Sequence, residues 1–451
     1  MLILEERFDR MEFDGYLNKK DSILKVSQIE SIKDNLKEFQ NSSIIMESCY
    51  IYDSVDSSSF IEESKSNINK IKGKESIEIK EDELKIVEFK KIIGKHKNSA
   101  DFIRVLENNY FISGGIDNKM IIYSPKYIKI KSKELEGIIY NINKTKILDR
   151  DIELIVSSDD KVYVIKFDEN YYTFKFYKEI NGYKFCFEFN KYNYILGDKS
   201  GCYLAYDLFS TIIDSKRKML ITNKFYNSAI QISKNLIALT SNSILPNGED
   251  KLIIYNNLIK EIYYEIKGYS FISSNSSNGL SIITKNENNI LLCACKQYKK
   301  YQKNGIILVN VKFEEKPKIN YFYYDTRNFE VYCFCQIYIL DKTNNKILDE
   351  NKITIATDYF LVGGFDKNKG RGIIKLYKII ENKTFLESKI EYIQDIEIEK
   401  KEKFKGFKGP ISGIIQTKTY GELLVTCWDG NVYLLEKPNI EYVLHYDNIK
   451  N

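Results

Sequence analysis

Histidine is scarce in this chain of 451 residues: only His96 and His445 are present. Nucleophilic catalysis of the Ser-His-Asp or Cys-His kind needs a base with a pKa near neutrality beside the nucleophile. Two histidines, one at a junction between apolar segments and one in the C-terminal tail, leave that chemistry little to work with. No catalytic residue is assigned, and the chain reads as a non-enzyme.

Thiols are more numerous. Cys293-Ala294-Cys295 and Cys333-Phe334-Cys335 each place two sulfurs on one strand face, at i and i+2. Four thiolates from adjacent strands could hold zinc. Within apolar strands, however, Cys-x-Cys reads as a pair of small core residues, so no metal is expected. The other cysteines (Cys49, Cys186, Cys202 and Cys427) complete a set of eight with no framework spacing. Free thiols in a reducing, intracellular setting follow, cytoplasmic with the nucleus as the alternative. Asp366-Lys367-Asn368-Lys369-Gly370 begins like a calcium loop, but Arg371 and Tyr377 occupy its sixth and twelfth positions, where glycine and glutamate are required. No Gly-x-Gly-x-x-Gly follows a strand and opens a helix, so no phosphate cradle and no cofactor is expected.

One set of residues keeps a chemical meaning. Lys296, Tyr298, Lys299, Lys300, Tyr301 and Lys303 crowd one long turn, and Lys367, Lys369 and Arg371 crowd another. Clustered cations with interleaved tyrosines suit an acidic or phosphorylated segment, or a nucleic-acid backbone. The net charge of +5 is small for this length, and does not by itself imply nucleic acid or an anionic membrane. The excess of Lys, Asn, Ile and Tyr over Arg, Ala and Pro matches an AT-rich coding bias, which inflates every lysine signal.

The elements that must position these residues are strands. Aromatic residues make up 14% of the chain, chiefly 35 Tyr and 25 Phe, and with abundant Ile they favour β-structure. A degenerate unit recurs from Glu83 to Asn451: an apolar segment, Gly/Ser/Asp punctuation, then a β-rich run ending in Tyr or an aliphatic residue. Ser113-Gly114-Gly115-Ile116-Asp117-Asn118-Lys119-Met120-Ile121-Ile122-Tyr123 is its clearest copy. Recurrence at about 40 residues or more points to a closed radial array, because one unit cannot bury both of its faces. Seven units are counted by their second and third strands, the last turning at Trp428-Asp429-Gly430-Asn431. Residues 1–82 differ. Ile23, Val26, Ile29, Ile32, Leu36 and Phe39 mark an amphipathic helix, and Glu62 to Lys85 reads as a charged linker. No secretory leader is visible, and no segment approaches the roughly 20 apolar residues that cross a bilayer.

Gly94-Lys95-His96 before Ala100–Leu106, and Gly406-Phe407-Lys408-Gly409-Pro410-Ile411-Ser412 before Gly413–Thr417, resemble the Gly-His junction of WD40 repeats. The Gly/Ser-x-Asp-x-x-hydrophobic-x-Tyr stretch resembles the second half of that repeat. The resemblance covers roughly 83–451 and implies an all-β, seven-bladed WD40-like β-propeller, with a short helical or disordered extension at 1–82. Phe407 stands where the family has His, and Tyr123, Tyr206, Tyr255 and Tyr377 stand where it has Trp. The family's Asp/His/Ser/Trp relay is therefore expected to be largely absent, with aromatic packing in its place. Lys369-Gly370-Arg371-Gly372 is not the paired-arginine motif of phosphoinositide-binding propellers.

By family geometry the cation-bearing turns share one face with the blade junctions. The resemblance also implies that the strand within Leu84–Ile93 completes the last blade from outside, with Ile440–Leu444 as its competitor. The function expected is a protein-interaction scaffold whose partner binds through the basic face. Nucleic acid or a phosphorylated anionic ligand on the same loops is the alternative.

Overall fold

The computed structural model describes residues 75–79 and most of 86–446; the larger spans outside it are 1–74, 80–85, 146–151, 206–216, 244–249, 272–278, 297–302, 341–353 and 447–451. The helix expected at Ile23–Phe39 lies outside the described residues. All the elements below belong to the unit Ile71–Asn451. Among the described residues no helix is long and apolar enough to cross a membrane.

Six antiparallel meanders of consecutive strands follow one another along the chain, at 100–134, 139–181, 185–222, 224–267, 280–325 and 329–395. We number them blades 1 to 6 and letter the strands of each from a (first) to d (last). In blade 5 the a-strand is split, because Ser270–Phe271 and Leu280–Lys285 both pair with Asn288–Lys296.

A further sheet is composite. Ile411–Gln416, Leu423–Cys427 and Asn431–Leu435 are its first three strands, and Ile86–Lys95 pairs antiparallel with the third, Phe89 opposite Leu435 and Lys95 opposite Asn431. The strand expected to complete this sheet therefore does so. Glu397–Glu399 adds a short parallel strand outside it. The competing C-terminal segment takes another partner: Tyr442–Tyr446 pairs with Glu75–Ile79, inside the stretch read as linker. Where the spacing implies seven blades, the structure has six of contiguous chain beside this sheet drawn from both ends of the unit.

Alternation along the strands explains the arrangement. In blade 1, Met120 and Ile122 pack toward blade 2, whereas Ile121 and Tyr123 pack toward the composite sheet. A central strand buried on both faces reads as a continuous apolar run, here Met-Ile-Ile-Tyr. Successive sheets share such cores all the way round. The last of these cores joins Leu424, Val432 and Leu434 of the composite sheet to Ile103, Phe111 and Tyr123 of blade 1. The d-strands close one side only; Thr173–Asn181 of blade 2 alternates exposed and half-buried along most of its length. Radial succession with shared cores and return to the first blade is a β-propeller.

Side-chain amides add bonds between a-strands. Gln336 of blade 6 accepts from the Thr284 amide at 3.1 Å and donates to the Thr284 carbonyl at 2.8 Å. Gln416 of the composite sheet repeats this on Tyr338, at 2.8 and 3.1 Å. Each glutamine thus imitates one step of a β-ladder where two blades would otherwise meet without backbone pairing.

Candidate functional site

The b–c turns and the junctions between sheets lie on one face, and hydrogen bonds tie them into a continuous rim. Thr326 N–H donates to the Asn304 carbonyl at 3.1 Å, and the Asn304 amide donates to the Arg327 carbonyl at 2.8 Å. Lys367 N–H then donates to the Asn328 carbonyl at 3.0 Å, and the Asn328 side chain donates to Asn368 at 3.2 Å. Lys408 N–H bonds the Asp429 carboxylate at 3.2 Å, His96 N–H the Gly430 carbonyl at 2.7 Å, and Lys97 N–H the Asp117 carboxylate at 2.8 Å. With Gly372 N–H donating to the Phe407 carbonyl at 3.4 Å, these bonds link the turns of blades 5 and 6 to those of the composite sheet and blade 1.

Of the nine residues singled out by sequence, Lys303, Lys367, Lys369 and Arg371 fall on this rim, all exposed. Three of them already face carboxylates: Lys303 and Asp325 at 3.4 Å, Lys367 and Glu330 at 3.0 Å, Lys369 and Asp395 at 2.8 Å. Burial works against the charge on Asp395, but hydrogen bonding from Lys369 and the nearby Lys375 hold its carboxyl below the usual range. Arg371 makes no ion pair among the described residues. It borders a cleft of about 350 Å³ whose walls include Gly372, Phe404, Phe407 and Ile396, with Lys369 and Asp395 at the edge. Lys296 ends a strand of blade 5; its side chain, and Tyr298, Lys299, Lys300 and Tyr301, lie outside the described residues.

Serine, histidine and aspartate do converge once. The His96 Nδ1–H donates to Asp117 at 2.8 Å, its Nε2 accepts from the Ser113 hydroxyl at 3.0 Å, and Ser113 Oγ accepts from the Tyr123 hydroxyl at 3.0 Å. These roles follow from the carboxylate being an acceptor only. Burial opposes the charge on Asp117, yet bonds from His96, Lys97 N–H and Lys119 N–H keep its pKa low. The connectivity is that of a hydrolytic triad, but the setting is not. His96 and Ser113 are buried, and a methyl added at Gly94 would sit 2.0 Å from the Tyr123 oxygen, so no substrate reaches the serine. The relay staples the composite sheet to blade 1. It resembles the WD40 relay with a phenol in place of the indole, and it is present here where the sequence reading expected little of it.

The composite sheet shows the aromatic alternative. Phe407, in the position of the histidine, meets Tyr433 edge-to-face at 5.0 Å, and Phe404 stacks on Phe89 at 4.9 Å. Tyr433 also donates to Asp429 at 2.6 Å. Because Tyr433 fills the third-strand aromatic position, Trp428 is left at the tip of the turn. It is half-buried and edge-on to Tyr332 of blade 6, with centroids 5.1 Å apart.

The two Cys-x-Cys pairs do not converge. Cys293 and Cys295 belong to the core between blades 4 and 5, and Cys333 and Cys335 to the core between blade 6 and the composite sheet. Burial raises the thiols of Cys293, Cys333 and Cys335, the last to about 12. They pack as small apolar side chains.

Strand order, shared cores and return to the first blade define the described unit as a β-propeller, and the His96 relay resembles that of WD40 repeats. The chain is similar to the β-propeller domain of Cps50 (Swd1) from Myceliophteria thermophila, at 10% identity over 76% of this chain and 98% of that one, with a TM-score of 0.49. It is similar to U3-55K at 10% identity over 77% and 98%, with a TM-score of 0.48. No protein-family model and no curated protein matches the sequence.

Proposed function

We propose that this chain is a non-enzymatic interaction scaffold, a seven-bladed ring in which the composite sheet is the seventh blade. It receives an acidic or phosphorylated protein segment on the rim formed by the turns of blades 5 and 6. The observation that supports this reading is the hydrogen-bonded path from Asn304, next to Lys303, through Arg327 and Asn328 to Lys367 and Asn368. Backbone tied in this way supports a reading in which Lys303, Lys367, Lys369 and Arg371 are presented with less ordering cost than on mobile loops. Lys296, Tyr298, Lys299, Lys300 and Tyr301, close to Lys303 in sequence, belong to the proposed ligand-binding set. Residues 1–82 serve as an arm that recruits or orients a second component.

The acids already beside Lys303, Lys367 and Lys369 set the kind of ligand. An incoming carboxylate or phosphate competes with Asp325, Glu330 and Asp395, so a polyanion gains less here than a short segment with spaced charges. That favours a peptide over nucleic acid.

The test is affinity recovery from the native cell, with the wild-type chain beside Lys299→Glu/Lys300→Glu/Lys303→Glu. Proteins recovered by the first and lost with the second are the expected result. Recovery of RNA that nuclease removes points to the nucleic-acid alternative. Equal recovery by both chains overturns the basic-face reading.

A further inference from the structure

The opposite face of the ring carries a different chemistry. On that side lie the a–b and c–d turns, and half of the large apolar side chains exposed among the described residues stand at c–d turns. Ile128 of blade 1 is 60% exposed, Tyr171 of blade 2 is 78% exposed, and Leu258 of blade 4 is 72% exposed. Tyr172 and Ile259 stand beside the latter two, also exposed. None of the exposed large apolar residues sits on the described b–c turns.

These tips are not loose ends. Asp168 accepts from Asn170 N–H at 2.9 Å and from Tyr171 N–H at 3.2 Å, which fixes the turn that lifts Tyr171 outward. Tyr127 turns back into the core and bonds Thr417 at 3.2 Å, leaving its neighbour Ile128 outside. The Tyr110 ring of blade 1 lies 6.0 Å from that of Phe167, the residue before Asp168 in blade 2, so these two blades present one connected sector. Scattered apolar residues are ordinary on a protein surface, whereas paired tips repeated on one face mark a contact surface.

Charge decides what covers it. Ile128 is flanked by the exposed lysines Lys126 and Lys129, and Tyr171 by Asp168 and Glu169. An anionic bilayer would attract the first turn and repel the second, whose tip is the most exposed. A second copy of the chain satisfies both, because a two-fold axis near this sector sets the lysine turn of each copy against the acidic turn of the other.

We propose that the chain forms a two-fold dimer through this face. The knobs Ile128, Tyr171, Tyr172, Leu258 and Ile259 supply the buried area, and Lys126 with Glu169 of the mate sets the register. This surface is independent of the basic rim, which stays open on the outer side of each ring.

Sedimentation of the full chain across micromolar concentrations tests the idea. Wild type is expected to be a dimer. Tyr171→Ser/Leu258→Ser, at positions too exposed to matter for folding, is expected to weaken association by about tenfold or more. Lys126→Glu is expected to weaken it as well, and Lys126→Glu/Glu169→Lys to restore it, which non-specific apolar association would not do. A wild-type chain that stays monomeric overturns the proposal, as does a dimer indifferent to the knob variant or to Lys126→Glu. Flotation with phosphatidylserine–phosphatidylcholine vesicles that requires Tyr171 and Leu258 overturns it in favour of lipid.

Discussion

Replacing His96 by alanine should cost far more than an ordinary surface change. The ring is buried and joins Asp117 at 2.8 Å to Ser113 at 3.0 Å. Loss of the charge-assisted bond to Asp117 is worth about 1.5–3 kcal/mol, and the neutral bond to Ser113 about 1 kcal/mol. The cavity left by the imidazole adds about 1 kcal/mol, since the Gly94 and Tyr123 walls are rigid. Asp117 keeps its bonds from Lys97 N–H and Lys119 N–H, which limits the total. The sum is about 4 kcal/mol, or a fall in Tm of about 8 °C at about 2 °C per kcal/mol for a domain this large. The assay is urea unfolding followed by far-UV circular dichroism and by the fluorescence of Trp428, the sole tryptophan. Trp428 lies in the composite sheet, the neighbour that the relay staples. Tyr123→Phe, which removes only the terminal hydroxyl, should cost about 1 kcal/mol. If His96→Ala costs less than about 1 kcal/mol, the relay is not a structural staple and the reasoning fails.

Other outcomes follow from the same geometry. Gly94→Ala should destabilise by about 2–3 kcal/mol, because the added methyl would lie 2.0 Å from the Tyr123 oxygen; a neutral result in the same melt would refute that packing. Trp428→Ala should cost about 2 kcal/mol, since the ring is half-buried against Tyr332; a value below about 1 kcal/mol contradicts the contact. Burial pushes Asp101 up to about 7, against the hydrogen bonds from Ser99 and the Ile116 amide and with Asp117 adding to the rise. The folded state then binds the proton more tightly than the unfolded one. Stability is full below the usual carboxylate pKa and declines as pH rises to about 7, by a few kcal/mol in order of magnitude. Asp101→Asn should flatten that decline in melts at pH 5 and pH 8, and an unchanged pH dependence would assign it elsewhere. Cys186, Cys293, Cys295, Cys333, Cys335 and Cys427 should resist iodoacetamide at pH 8 until the chain is denatured, as all six are buried and free.

Much of the ring was legible in the sequence because its signals are local. The Met-Ile-Ile-Tyr run ending at Tyr123 and the Ser-Asp-Asp-Lys turn of blade 2 show period and punctuation without any partner. The closing strand was legible too, since Phe89, Ile92 and Ile93 have strand character and precede a junction. Features that depend on two distant segments were hidden. Nothing around Gln336 or Gln416 marks them as bridges to Thr284 and Tyr338, and nothing around Glu75–Ile79 shows that Tyr442–Tyr446 will pair with it. The packing of Trp428 on Tyr332 was hidden as well, because it joins the turn of the composite sheet to a distant strand of blade 6. The relay was under-read because an indole was sought at Tyr123, although a phenol offers the same donor. On the basic rim the cations were plain in the sequence. Their carboxylate partners were not: Lys367 and Glu330 are far apart along the chain and meet at 3.0 Å only after folding.

Binding of a fluorescein-labelled peptide with spaced Glu and Asp residues, followed by anisotropy, tests the scaffold reading most directly. Wild type should bind it, more weakly at high salt, and Lys303→Glu/Lys367→Glu/Arg371→Glu should lose at least about tenfold in affinity with Tm unchanged. A single-stranded oligonucleotide of equal charge should bind less well than the peptide. Equal peptide binding by the wild-type and reversed chains, or preference for the oligonucleotide, would contradict the account.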